Sequence, residues 1–122
     1  MRILVVDDND DVLLSMNSLL EAAGHEAETA SDARRALEIH RTRPADVVIT
    51  DIFMPEQDGL ETIVKFRSES PHVKIVAMSG GGDIAKHDYL EVAQHAGADA
   101  MLRKPFDPQQ LLDTVEKLTR AG

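Results

Sequence analysis

Short apolar runs alternate along the whole chain with longer segments of helical periodicity. Three runs, residues 2–7, 46–51 and 73–78, each contain at least three consecutive apolar side chains, which is typical of strands buried on both faces. Two weaker runs, residues 25–30 and 99–103, are shorter or interrupted by polar side chains. The pattern predicts five strands, three at the centre of a sheet and two at its edges.

Apolar side chains with the spacing of one helix face lie between and after these runs. The five predicted faces are Val12, Leu13, Met16, Leu19 and Leu20; Ala33, Ala36, Leu37 and His40; Leu60, Ile63 and Val64; Leu90, Ala93 and Ala96; and Leu111, Leu112, Val115 and Leu118. Gly24 follows the first helix at a position that favours a C-cap. Asp107 with Pro108 predicts the start of the fifth helix.

The alternation of strand and helix, repeated five times, predicts the α/β class. Such a (βα)5 chain forms a parallel sheet with right-handed crossovers and helices on both faces. Placing the three apolar strands at the centre favours the flavodoxin-like order 2-1-3-4-5. Residues 1–122 are expected to form one domain, since domains cluster at roughly 100–150 residues.

Composition narrows the classes of function. The 122 residues carry 13 Lys and Arg against 22 Asp and Glu, for a net charge of −9, and no cysteine. Disulfides, thiolate metal sites and cysteine nucleophiles are therefore excluded, and the acidic balance argues against direct binding of nucleic acid. We expect no secretion signal, because the apolar run near Met1 is cut short by Asp7-Asp8, and no apolar run approaches about 20 residues. We expect a cytoplasmic protein that does not insert into membranes and has protein or metal partners.

Chemically useful side chains stand at the predicted ends of four strands. Asp7 and Asp8 follow the first strand, Asp51 ends the third, Ser79 follows the fourth and Lys104 follows the fifth. The carboxyl ends of parallel strands meet at one edge of the sheet, where ligands of such folds bind. Three carboxylates placed there repel one another unless a cation joins them. Oxygen ligands alone favour a hard cation, and Mg²⁺ over Ca²⁺.

Each of these residues also has a simpler interpretation. Asp7-Asp8, followed by Asn9-Asp10, could simply cap the first helix and complement its dipole. Asp51 could be a turn residue, Ser79 a loop serine and Lys104 a solvated lysine. The conjunction of all of them at one edge favours a site for phosphoryl transfer, which uses a carboxylate nucleophile, a metal, a lysine and a hydroxyl donor. The five histidines are scattered over predicted surfaces or loops, which disfavours a histidine metal site.

The residues at the strand ends, taken together, resemble the pattern of a known family. Asp7-Asp8, Asp51 within residues 50–55, Asp58-Gly59, Ser79 and Lys104-Pro105 together form a pattern similar to that of the CheY-like receiver domains of two-component response regulators. The resemblance covers essentially the whole chain. It implies a Mg²⁺-dependent switch that accepts a phosphoryl group from a sensor histidine kinase or a histidine phosphotransfer protein and then controls a downstream protein.

The resemblance also implies a role for individual residues. Asp8 would ligate Mg²⁺ directly and Asp7 would orient the metal or its water, while Asp51 and the backbone carbonyl of Phe53 would complete the protein ligands. In the family, an aspartate at the position of Asp51 is the phosphoacceptor. The chain would thus catalyse only its own phosphorylation and dephosphorylation, and would not be an enzyme for other substrates.

Lys104 and Ser79 would contact the phosphoryl oxygens, and the new bond from the Ser79 hydroxyl would be the switch. Pro105 would follow a cis peptide bond that directs Lys104 into the pocket. Met101 departs from the family, which often has an aromatic residue there, so its coupling to the switch is open. Leu13 and Leu14 are adjacent, so one is expected to be exposed; it would be either a docking contact for the kinase or an ordinary surface residue.

Three other functions compete with the receiver interpretation. A haloacid-dehalogenase-type phosphohydrolase would need a second aspartate at position 53, where the chain has Phe53. A flavin-binding module is disfavoured by an aromatic content of 3%. A degenerate receiver used only for protein contacts is disfavoured by the intact set of site residues. Whether the chain stands alone or belongs to a larger regulator stays open.

Overall fold

The structure is a computed structural model, and it describes residues 1–54, 57–79, 93–104 and 106–120. Its strands are β1 (Arg2–Val6), β2 (Glu26–Ala30), β3 (Val47–Asp51), β4 (Phe53–Met54), β5 (Gln57–Asp58), β6 (Lys74–Ser79) and β7 (Ala100–Arg103). Its helices are α1 (Asp10–Ala22), α2 (Ala33–Thr42), α3 (Gly59–Glu69) and α4 (Pro108–Arg120), and residues 93–96 are also helical. The first part of the predicted fourth helix, with Leu90, lies outside the described residues.

The main sheet has five parallel strands in the order β2-β1-β3-β6-β7. This confirms the predicted order 2-1-3-4-5, because β6 and β7 are the fourth and fifth predicted strands. The short antiparallel pair of β4 and β5 was not predicted. Its two-residue strands are too short to produce a periodic pattern, and it lies immediately beyond Asp51.

The sheet is covered on both faces, as predicted. Ile3 and Val5 of β1 pack with α1 and α4 on one face, while Leu4 and Val6 pack with α2, α3 and residue Ala93 on the other. Successive side chains of a strand point to opposite faces, so a continuously apolar strand contributes to both cores. No helix in the described part of the chain is long and apolar enough to cross a bilayer.

The predicted ends of the helices agree with the structure. Gly24 follows α1 with φ +91°, and the next N–H, that of His25, donates to the carbonyl of Leu20 at 3.0 Å, which closes the helix in the manner of a Schellman motif. Asp107 caps α4: its Oδ1 accepts from the N–H of Gln110 at 2.8 Å, and Gln110 Oε1 accepts from the N–H of Asp107 at 2.9 Å.

His40 contradicts the prediction that the histidines lie on surfaces or in loops, although it agrees with the place of His40 on the predicted apolar face of the second helix. His40 is 5% exposed, its Nδ1 accepts from the N–H of Ala45 at 3.0 Å, and its ring meets that of Phe66 at a centroid distance of 5.4 Å. The prediction was wrong because an imidazole with a hydrogen-bonded nitrogen packs on the inner face of a helix as an aromatic side chain does.

Candidate functional site

Two neighbouring strands bring the three predicted carboxylates together. Val6 of β1 lies opposite Thr50 of β3, so Asp7 and Asp51, one residue further along each strand, end side by side. Asp7 and Asp51 are 1% and 6% exposed, whereas Asp8 is exposed. Carboxylate oxygens of the three residues lie within 4.8 Å of one another. The structure thus concentrates negative charge at the carboxyl end of the central strands.

Lys104 supplies a positive charge to this cluster. It follows β7, and its Nζ donates to Asp7 Oδ2 at 2.6 Å and to Asp51 Oδ2 at 3.2 Å. Burial by itself lowers the pKa of Lys104, but the hydrogen bond to Asp7 and the charge of Asp51 outweigh it and raise this pKa above its usual value. The ammonium group is therefore charged and joins the two buried carboxylates.

Ser79 ends β6, between the strands that carry Asp51 and Lys104. It is fully buried, and its carbonyl accepts from the backbone N–H of Lys104 at 2.6 Å. Phe53 begins β4, two residues beyond Asp51, at the same end of the sheet. All the predicted site residues thus gather at one edge. Pro105, with its predicted cis peptide bond, lies outside the described residues.

Asn9 contributes to the site in a way that the sequence did not reveal. Its backbone N–H donates to Asp7 Oδ1 at 2.9 Å, and its side chain caps α1 by accepting from the N–H groups of Asp11 and Val12. The cap that could have been assigned to Asp7 or Asp8 is therefore made by Asn9. Both aspartates remain in the loop between β1 and α1.

The donor set fits a small hard cation. The clustered groups are carboxylates from Asp7, Asp8 and Asp51, and oxygen ligands of this kind are those that Mg²⁺ prefers in proteins, often together with waters and substrate phosphate. Asp8, the most exposed of the three, leaves the cluster open to solvent on one side.

An apolar groove adjoins this cluster. It has a volume of about 380 Å³, lies between α1 and the start of α4, and is lined by Val12, Met16, Phe106 and Lys104, among others. Elsewhere on the surface of α1, Leu14 is 67% exposed. Leu13 is buried, so the prediction that one of the two adjacent leucines is exposed is confirmed. Apolar side chains thus lie within reach of a molecule that approaches Asp51.

Met101, which replaces the aromatic residue common in the family, lies on the edge strand β7 and is 36% exposed. At this position a flexible side chain meets solvent rather than filling a closed cavity.

Comparison with known proteins agrees with this architecture. Residues 3–116 match the family model of the response regulator receiver domain. The chain is 34% identical over 119 residues to the response regulator MprA of Mycolicibacterium vanbaalenii, with 98% of the chain and 50% of MprA aligned. It is 31% identical to the chemotaxis protein CheY of Thermotoga maritima, with 98% of each aligned.

A solved structure, the receiver domain of NtrX from Brucella abortus, superimposes with a TM-score of 0.90 at 30% identity, with 98% of this chain and 99% of that one covered. The chain spans about half the length of MprA and of several other curated relatives, but nearly all of CheY. On its sequence, its fold and the arrangement of its strand-end residues, the chain belongs to the response regulator receiver domains.

Proposed function

We propose that this chain accepts a phosphoryl group on Asp51, with Mg²⁺, from a histidine kinase or a histidine phosphotransfer protein. One observation carries the proposal: Lys104 Nζ lies between Asp7 and Asp51, beside a third carboxylate, at the end of the central strands. A structural ion pair needs only one carboxylate. The second and third carboxylates suit the cluster to a divalent cation, and that cation together with Lys104 would balance the negative charge of a phosphoryl group.

The chain's own residues support an in-line transfer. A carboxylate oxygen of Asp51 attacks the phosphorus, a P–O bond forms, and the P–N bond to the donor imidazole breaks while that imidazole retains the electron pair and takes up a proton. Mg²⁺, when held by Asp8, Asp7 and Asp51 with the carbonyl of Phe53, would offset the negative charge of the phosphoryl oxygens. The ammonium group of Lys104 is positioned to leave the carboxylate of Asp51 and pair with a phosphoryl oxygen.

Ser79 and water complete the cycle. The hydroxyl of Ser79 donates to a phosphoryl oxygen, and this bond, available only in the phosphorylated state, favours the active conformation that a downstream protein recognises. Attack by water on phosphorus returns the carboxylate of Asp51 and releases inorganic phosphate. The chain is thus a cytoplasmic switch that catalyses its own phosphorylation and dephosphorylation, rather than an enzyme for other substrates.

Intact mass spectrometry tests the role of Asp51. The chain is incubated with Mg²⁺ and a small phosphodonor such as phosphoramidate, and the expected product is one added phosphoryl group that hydroxylamine removes. Asp51→Asn is expected to abolish the adduct, because an amide oxygen is a poor nucleophile. Asp58→Asn, in the nearby β5, is the matched control and retains it. An undiminished adduct in Asp51→Asn contradicts the assignment.

The phosphodonor protein must bring its histidine to Asp51, so its docking surface must border the site. We propose that it covers α1, where Leu14 and the apolar groove offer contacts to an amphipathic helix.

Leu14→Arg tests this docking surface. The variant is expected to accept phosphate normally from phosphoramidate, because Leu14 is exposed and outside the carboxylate cluster, and to lose at least tenfold in rate from its phosphorylated protein donor. Val64→Arg is the control, since Val64 is also exposed (51%) but lies on α3. Equal losses from both donors, or a loss in Val64→Arg as large as in Leu14→Arg, contradict docking on α1.

A further inference from the structure

We propose that Asn9 is a positioning residue for the metal site, because its cap on α1 holds the loop that carries Asp7 and Asp8. The inference rests on the proposed function, since it concerns the binding of Mg²⁺ to that cluster. Asn9 is exposed and is not one of the proposed metal ligands, but it fixes the positions of two of the three carboxylates, those of Asp7 and Asp8.

The buried carboxylate of Asp7 is oriented from two sides. Lys104 Nζ reaches Oδ2 at 2.6 Å, and the backbone N–H of Asn9 reaches Oδ1 at 2.9 Å. The backbone of Asp7 is held as well, because its N–H donates to the carbonyl of Ala30 at 3.2 Å. The bond from Asn9 is the one that depends on the conformation of the loop that follows.

The side chain of Asn9 determines that conformation. Its Oδ1 accepts from the N–H of Asp11 at 2.9 Å and from the N–H of Val12 at 3.3 Å, and its backbone carbonyl accepts from the N–H of Leu13 at 3.1 Å. These bonds hold Asn9 in the extended conformation of an N-cap (φ −96°, ψ 113°). In that conformation its N–H faces Asp7, so one residue joins the start of α1 to the carboxylate.

Asp8 lies between these two anchored residues. It is exposed, yet one of its oxygens lies within 4.8 Å of oxygens of Asp7 and Asp51. The loop backbone, held at Asp7 and at Asn9, is what places it there. Losing the cap allows the first turn of α1 to fray, and part of the Mg²⁺ binding free energy is then spent on reordering residues 7–9.

The test is Mg²⁺ affinity, measured by titration calorimetry at a temperature where circular dichroism shows every variant to be folded. Loss of an N-cap typically shifts an equilibrium by about fivefold, so Asn9→Ala is expected to weaken Mg²⁺ binding by up to about fivefold. Asn9→Ser restores the cap without adding charge and is expected to return the affinity to within about twofold of the original.

Asp32 provides the matched control, because its Oδ1 caps α2 in the same way by accepting from the N–H of Arg35 at 2.8 Å. Asp32→Ala is expected to lose similar stability and to keep its Mg²⁺ affinity, and Asp32→Asn separates the lost charge from the lost cap. Wild-type affinity in Asn9→Ala, or an equal loss in Asp32→Ala, overturns the inference.

Hydrogen exchange separates this inference from the proposed function. The N–H of residue 9 is expected to exchange several-fold faster in Asn9→Ala than in the original chain, without metal. If the original chain binds no Mg²⁺, the proposed metal site fails. Faster exchange in Asn9→Ala then still supports positioning of Asp7 by the cap, and unchanged exchange overturns it.

Discussion

At the level of a single residue, Lys104 compensates part of the negative charge that is buried at the site. Asp7 and Asp51 are almost completely buried, and an unpaired carboxylate in such surroundings is costly. The long, flexible side chain of Lys104, with 23% of its surface exposed, reaches both carboxylates and can still rearrange. An arginine would be bulkier and would hold one carboxylate in a fixed bidentate geometry, which suits a structural pair better than a site that must admit a phosphoryl group.

His40 is a second buried titratable residue, and it predicts a pH dependence of stability. Burial lowers the pKa of His40 below its usual value; the charge of Glu69 opposes this effect and that of Arg2 adds to it. Protonation would also convert Nδ1, the acceptor for Ala45 N–H, into a donor. Between the lowered folded pKa and the unfolded value of about 6.5, the unfolded chain binds more protons.

The free energy of unfolding is therefore expected to decrease as the pH falls below about 6.5, with a His40 contribution approaching about 1.4 kcal/mol per pH unit. Urea unfolding at several pH values between 7.5 and 5 measures the slope. His40→Asn keeps an acceptor for Ala45 N–H but cannot titrate, so it should have the smaller slope. Identical slopes in the two proteins would show that His40 does not titrate in this range.

At the level of elements, Arg67 at the end of α3 connects segments that are distant in sequence. Its Nη1 donates to the carbonyls of Pro71 and Val73, and its Nη2 donates to the carbonyl of Gly97 and to Asp99 Oδ2, all at 2.7–2.8 Å. One guanidinium thereby joins α3 to the loops that lead into β6 and β7. These loops lie at the edge of the sheet opposite the carboxylates.

Gly97 lies directly against Arg67, whereas Gly24 has open space around it. Both Gly97 and Gly24 have positive φ, but a Cβ at Gly97 would lie 3.3 Å from Cγ and Nε of Arg67, whereas a Cβ at Gly24 meets nothing within 4 Å. Gly24→Ala is expected to cost about 1–2 kcal/mol of stability through backbone strain alone, and Gly97→Ala about 1 kcal/mol more through the contact with Arg67. Urea unfolding of both variants measures the difference; equal losses would show that Arg67 moves aside freely.

At the level of the whole molecule, the net charge of −9 is unevenly distributed, and part of it is concentrated at the carboxylate cluster. Some acidic residues form ion pairs with one cation each, as Glu69 does with Arg41. Among the described residues, the cluster of Asp7, Asp8 and Asp51 instead shares the single ammonium group of Lys104. A divalent cation that binds there should therefore stabilise the folded state.

We expect MgCl₂ to raise the melting temperature more than NaCl at equal ionic strength, since a ligand at tenfold its dissociation constant contributes about 1.4 kcal/mol. Asp8→Asn should abolish this difference, and without metal it should melt slightly higher than the original chain because one repulsive charge is gone. Differential scanning calorimetry measures both effects. Equal stabilisation of the original chain by the two salts would contradict a specific Mg²⁺ site.

Much of this molecule follows from local patterns in the chain. Continuous apolar runs such as that within residues 2–7 predicted the central strands, and the weaker runs predicted the edges, because a strand buried on both faces has few polar positions. The caps at Gly24 and Asp107 were also predictable, since they depend on backbone conformation over a few residues. The topology alone predicted which residues converge, because the carboxyl ends of parallel strands meet at one edge of the sheet. These residues are Asp7, Asp8, Asp51, Ser79 and Lys104.

The sequence by itself thus determined the fold class, the strand order and the residues gathered at the carboxyl edge, because these depend on short-range periodicity and on the geometry of parallel sheets. Only the tertiary structure decided how those residues interact: that Lys104 joins Asp7 to Asp51, that Asn9 rather than an aspartate caps α1, that His40 is buried, and that Arg67 joins two loops. These are contacts of a few ångströms, several of them between residues far apart in the chain, and packing sets them through the direction of each side chain, which no periodicity records.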